Sequence, residues 1–174
     1  MNLKKTTSEK VQYMLPDINT ILYASDISEG SRPAFRMAVQ QAIKNDAQIV
    51  FLHAIEPVTD FIEDYLPKNA NTKHTDQMMA AYKERIEERI QRFMESELDT
   101  NCDLQIPPVA KVLVGKPEKV ILRAAQKLKA SLIVMGDRES STMSRLFLGS
   151  TAQKVIHHSE VPVLIVPLKK RGIE

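Results

Sequence analysis

The 174-residue chain holds one cysteine, Cys102, so no disulfide can close within it and no cysteine-based metal site can form. Such usage suits a reducing compartment. No run of apolar residues approaches the roughly 20 needed to cross a bilayer as a helix. The opening Met1–Lys10 is basic with no apolar stretch behind it, so it does not read as a secretory signal. A cytoplasmic protein without membrane contact is the expectation. Charge of one sign is also scarce. The 24 basic and 22 acidic side chains leave a formal charge of +2, far from the basic face that a nucleic-acid footprint needs. The one tight basic cluster, Lys169-Lys170-Arg171, reads as part of a solvated tail, partly offset by Glu174. A Gly-Lys-Ser/Thr phosphate loop is missing, and so is a spaced Ser/His/Asp set; catalysis has no recognisable signature.

What remains is ordinary for a globular protein: 43% hydrophobic and 26% charged residues. The length suits one domain, expected over residues 18–168, between a polar arm at 1–17 and the tail at 169–174. Short apolar runs at Thr20–Ser25, Ile49–Ala54, Val109–Val114, Ser131–Gly136 and Val161–Val166 read as buried parallel strands. Between them lie helical periods. Ala34, Phe35, Ala38, Val39, Ala42 and Ile43 form one stripe, opened by Pro33. Met79, Tyr82, Ile86, Ile90 and Phe93 form a second, whose other side, with Lys83, Glu84, Arg85, Glu87, Glu88 and Arg89, reads as a solvated face. Val120, Ile121, Ala124, Ala125 and Leu128 form a third, and a short helix follows Gly149. The stretch from Glu56 to about Thr75 has no clear period, and a loop that long is usually functional. Alternation of this kind implies a mainly parallel sheet with helices on both faces. Pro162 cannot donate to a ladder, which places the last strand at an edge or the proline at its start.

In an open α/β sheet, ligands sit beyond the carboxyl ends of strands where the strand order reverses. Those ends deliver Asp26 and Gly136 to one crevice. The helix opened by Gly149-Ser150-Thr151 adds unpaired N–H groups and two hydroxyls that suit a phosphate. Each piece also has a plain structural reading: Asp26 and Ser150 as helix caps, Gly136 as a turn. His53 reads as a satisfied core residue, and His157 and His158 as complements to helix carbonyl ends. A phosphorelay receiver shares the alternation, but the third strand ends at Val114-Gly115 with no Asp to accept phosphate.

The run Ile21–Glu29, the His53 strand and above all Gly136–Val166 resemble the universal stress protein family. Its nucleotide-binding members carry Gly, two residues, Gly, nine residues, then Gly with Ser or Thr; here that spacing falls on Gly136, position 139 and Gly149-Ser150. The resemblance implies a three-layer, Rossmann-like sandwich with a five-stranded parallel sheet of order 3-2-1-4-5. It implies a homodimer through Val161–Val166 and a stress-response module that binds and signals rather than catalyses. It further implies ATP or AMP as ligand, with adenine and ribose near Ala24, Asp26, Ala54 and Met135. The phosphates would lie near Gly136, Gly149, Ser150 and Thr151. A slow nucleotide hydrolase or phosphotransferase in the same crevice is the alternative. One position departs: Glu139 stands where the pattern has its second glycine. At about 4 Å and an effective dielectric near 20, its carboxylate would repel a phosphate charge by roughly 4 kcal/mol. Arg138 and Arg145 are candidate compensators, and Ser140, Ser141 and Thr142 are hydroxyls open to phosphorylation.

Overall fold

Five apolar runs become five parallel strands because each is largely hydrophobic and each of the first four is followed by an amphipathic helix that returns the chain to the same end. A computed structural model describes residues 16–56, 72–98, 102–137 and 148–168. The strands are β1 (Thr20–Ala24), β2 (Gln48–Ile55), β3 (Val109–Val114), β4 (Leu132–Asp137) and β5 (Val163–Pro167). They pair in parallel in the order β3-β2-β1-β4-β5. The helices are α1 (Arg32–Asn45), α2 (Thr72–Glu97), α3 (Pro117–Lys127) and α4 (Ser150–His158).

Alternate strand residues feed two separate cores, which makes three layers. Ile21, Tyr23, Ile49, Phe51 and Val134 meet α1 and α2 through Phe35, Ala38, Ile90 and Met94. Leu22, Leu52, Ile133 and Met135 meet α3 and α4 through Ile121, Ala124, Ala152 and Val155. The first core is built around rings. Phe51 stands edge-on to Tyr23, with centroids 4.7 Å apart, and lies 5.9 Å from Phe35 and 5.8 Å from Phe93.

An ion triad ties α1 to α2. The Glu97 side chain is only 3% exposed, and its two oxygens accept from Arg32 Nε at 3.0 Å and Arg36 Nε at 2.7 Å. At the amino ends of the strands, the turns into β2 and β4 are short. Each uses a non-glycine residue in the left-handed region: Asp46 at φ 51° and Lys129 at φ 50°. Gly115, at φ 145°, makes the corresponding sharp exit from β3, and its N–H donates to the Ile55 carbonyl.

Several boundaries move from their sequence expectations. The fourth strand runs one residue further, through Asp137, and the fifth starts at Val163 rather than Val161. Pro162 sits just before that strand, where its carbonyl accepts the Ile133 N–H, and β5 is an edge. Both halves of the proline expectation therefore hold. The segment read as aperiodic to about Thr75 ends earlier, because α2 already begins at Thr72. On α2, Ile90 and Met94 are the buried residues, while Tyr82 is 51% exposed. No described helix is long and apolar enough to cross a membrane.

Candidate functional site

The carboxyl ends of β1 and β4 lie side by side where the strand order reverses, and a cleft of about 380 Å³ opens there. All eight residues singled out from the sequence line it. Ala24 and Asp26 come from β1 and its turn, Ala54 from β2, and Met135 and Gly136 from β4. Gly149, Ser150 and Thr151 come from the start of α4. Glu139, Arg138, Arg145, Ser140, Ser141 and Thr142 lie outside the described residues, as do the segments 1–15 and 169–174.

The turn after β1 is held from many sides. Ser25 N–H continues the ladder to the Leu52 carbonyl at 3.0 Å. Its hydroxyl accepts the Ile27 N–H, and Asp26 Oδ1 accepts the Ser28 N–H, each at 3.1 Å. Asp26 therefore makes a local turn rather than a helix cap, since α1 starts only at Arg32. Ile27 is buried with φ at 59°, a left-handed conformation that costs a β-branched residue about 1–3 kcal/mol. Its carbonyl is secured by Arg89 Nη2 of α2 at 3.1 Å. Arg89 was assigned by sequence to a solvated face; it is in fact the brace of this turn.

On the opposite wall, Gly149 takes the N-cap of α4 without a side-chain cap, and the first intrahelical donor is Gln153 N–H to the Gly149 carbonyl at 3.0 Å. The N–H groups of Ser150, Thr151 and Ala152 precede it and so carry the positive end of the helix. Ser150 is the first helical residue, not the cap. The cleft also takes in residues that sequence reasoning did not assign to it, among them Ser25, His53, Glu56 and Leu168. Ser25 and Glu56 were detectable as the residues that directly follow a strand; Leu168 carried no signal. His53 is satisfied as expected, its Nδ1 2.9 Å from the Ser25 carbonyl, yet it sits on the cleft wall. A carbonyl only accepts, so Nδ1 bears the proton donated there. His158 Nδ1 likewise meets the Lys154 carbonyl at 2.8 Å, the helix-end role expected of it. Among the described residues, no His, Cys, Asp and Glu group could hold a metal.

Tyr23 forms the floor of the cleft. It is fully buried, its hydroxyl donates to the Ser31 carbonyl at 3.0 Å, and burial pushes its pKa above the usual 10.0, against the opposing pull of hydrogen bonds with Ser25 and Ser31. A folded-state pKa above the unfolded one means that this group's stabilisation is complete below about pH 10 and is lost as pH rises through the folded value. Urea melts from pH 8 to 11 should show this. Tyr23→Phe should be about 1 kcal/mol less stable than wild type at pH 8, and the gap should shrink above pH 10. A gap that stays constant would refute the assignment.

An open parallel sheet with its crevice at the strand reversal defines a doubly wound α/β protein. The chain belongs to the universal stress protein family, whose model matches residues 17–167. A universal stress protein of Thermus aquaticus, from the QAH/OAS sulfhydrylase 3′ region, is 32% identical over 148 residues, which span 84% of this chain and 97% of its own. The solved structure of universal stress protein UspA from Lactobacillus plantarum has a TM-score of 0.65 at 20% identity and covers 87% of this chain and 99% of its own. A second, a universal stress protein in complex with cAMP, has a TM-score of 0.57 at 21% identity and covers 88% of this chain and all of its own.

Proposed function

We propose that the cleft holds an adenine nucleotide, ATP or AMP, and that this cytoplasmic protein acts in the stress response by binding and signalling rather than by turnover. One observation carries the reading: Asp26, Gly136 and the uncapped start of α4 line a single cleft. Adenine and ribose fit between Ala24, Asp26, Ala54 and Met135, with the Asp26 carboxylate accepting from a ribose hydroxyl or a base edge. A phosphate fits against Gly136, Gly149, Ser150 and Thr151, where helix N–H groups and hydroxyls can donate to it. The likeness to a universal stress protein solved with cAMP supports a nucleotide of this class. Calorimetry on nucleotide-free protein tests it. AMP should bind, and Asp26→Ala should weaken binding by roughly tenfold or more, the loss of one charge-assisted hydrogen bond. No heat from ATP or AMP at millimolar concentration would end the reading.

The assembly proposed with it is a homodimer through Val161–Val166. β5 is an edge of the sheet, and its Val163, Leu164 and Ile165 remain partly exposed, an apolar edge suited to a second copy. Light scattering that finds only monomer at tens of micromolar would refute it.

A further inference from the structure

The turn that carries Asp26 ends on a strained residue. Ile27 holds φ at 59° although its side chain is β-branched, and it is only 7% exposed. Such a residue stays in the left-handed region only where its surroundings over-determine it, and strain of this kind gathers at ligand clamps and switch regions. Here the surroundings come from outside the turn. The Ile27 side chain belongs to the first core, and its carbonyl accepts from Arg89 Nη2 of α2 at 3.1 Å.

The two ends of the turn are tied to different elements. His53 on β2 donates to the Ser25 carbonyl, and Arg89 on α2 donates to the Ile27 carbonyl. Asp26 lies between these anchors and lines the cleft. Bonds inside the turn link one anchor to the other, since the Ile27 N–H donates to Ser25 Oγ and the Ser28 N–H to Asp26 Oδ1. Release of the Ile27 carbonyl would let that residue leave positive φ, and the rotation would carry the Ser28 N–H away from the Asp26 carboxylate. Arg89 is not among the residues that line the cleft. Its influence on a ligand there has to pass through the turn.

We infer that Arg89 is a positioning residue for the ligand of the cleft: through the Ile27 carbonyl it holds the turn that aims the Asp26 carboxylate. The inference rests on the nucleotide reading above and deepens it, because it puts a determinant of affinity on α2. A merely structural residue would lower the melting temperature and leave the affinity of the folded protein unchanged.

The test is calorimetric titration of the full chain with AMP. Arg89→Met should weaken binding about fivefold, the order expected when one hydrogen bond that fixes the turn is lost. Arg89→Lys should stay within about twofold of wild type, because an ammonium can also donate to a single carbonyl. In an Asp26→Ala background, Arg89→Met should change affinity by less than about twofold, since a brace has no effect once the group it aims is gone. In ligand-free protein, the Ile27 and Ser28 amide resonances should shift in Arg89→Met. Unmoved resonances, or wild-type affinity in Arg89→Met, overturn the inference and leave the nucleotide reading intact. The full loss in the Asp26→Ala background overturns the route through Asp26, and a lysine variant as weak as the methionine one overturns the bond to Ile27 as its means. No heat from AMP in the wild type overturns the nucleotide reading and this inference with it.

Discussion

Phe51→Ala should lower the free energy of unfolding by about 4 kcal/mol, one of the two largest effects expected in this chain. Phe51 is fully buried on β2, the strand between β1 and β3, and its ring contacts those of Tyr23, Phe35 and Phe93. Truncation removes the transfer free energy of a benzyl group. It also leaves a cavity that three rings from different elements cannot jointly fill, and it cancels three ring pairings worth up to about 1 kcal/mol each. For a chain of this size the melting temperature should fall by roughly 10 °C. Phe51→Leu keeps most of the volume and should lose less than half as much. Urea denaturation and thermal melts of both variants check this; a loss under about 1.5 kcal/mol for the alanine would mean that the ring cluster is not the packed centre described above.

The second large effect lies in the triad between α1 and α2. Replacing Arg32 and Arg36 together with methionine should cost about 3 kcal/mol, because the Glu97 carboxylate would keep its burial and lose both partners. Methionine is chosen over alanine so that hydrocarbon still covers the carboxylate; alanine would let water in and mask the penalty. Adding Glu97→Leu to that pair should recover most of the loss, since an apolar replacement of a whole buried ionic set is close to neutral. Denaturant midpoints of the double and triple variants decide it. If the double variant lost no more than the fraction of a kcal/mol typical of surface pairs, Glu97 would be behaving as a solvated group.

The strands were legible because each is a short, largely apolar run, the pattern of a sheet covered on two sides. Their ends were less so. Val161 looks like strand by composition, but pairing starts at Val163 because Pro162 has no N–H to donate and contributes only its carbonyl, to the Ile133 N–H. The start of α2 was hidden because Thr72-Lys73-His74-Thr75 carries no apolar period, although nothing in it breaks a helix. The stripe on that helix was read as ending at Phe93, whereas Met94, one turn beyond Ile90, is buried. The candidate site was legible where topology alone delivers residues, at the ends of β1 and β4 and the start of α4. It was illegible where distant segments meet. Nothing in the residues around Arg89 marks it as the donor to the Ile27 carbonyl, 62 positions away, and nothing local brings Leu168 back over Gly136.

Asp46 and Lys129 have a consequence beyond their own dihedral angles. Since every strand points the same way, the molecule has one rim that makes tight reversals and an opposite rim that carries the cleft. Of the two left-handed residues on that rim, lysine tolerates the conformation less readily than aspartate, and a glycine at Lys129 would ease it. The short reversals into β2 and β4 and the lining of the cleft are therefore a strand's length apart. A substitution at Asp46 or Lys129 thus alters a reversal and changes no residue of the cleft lining.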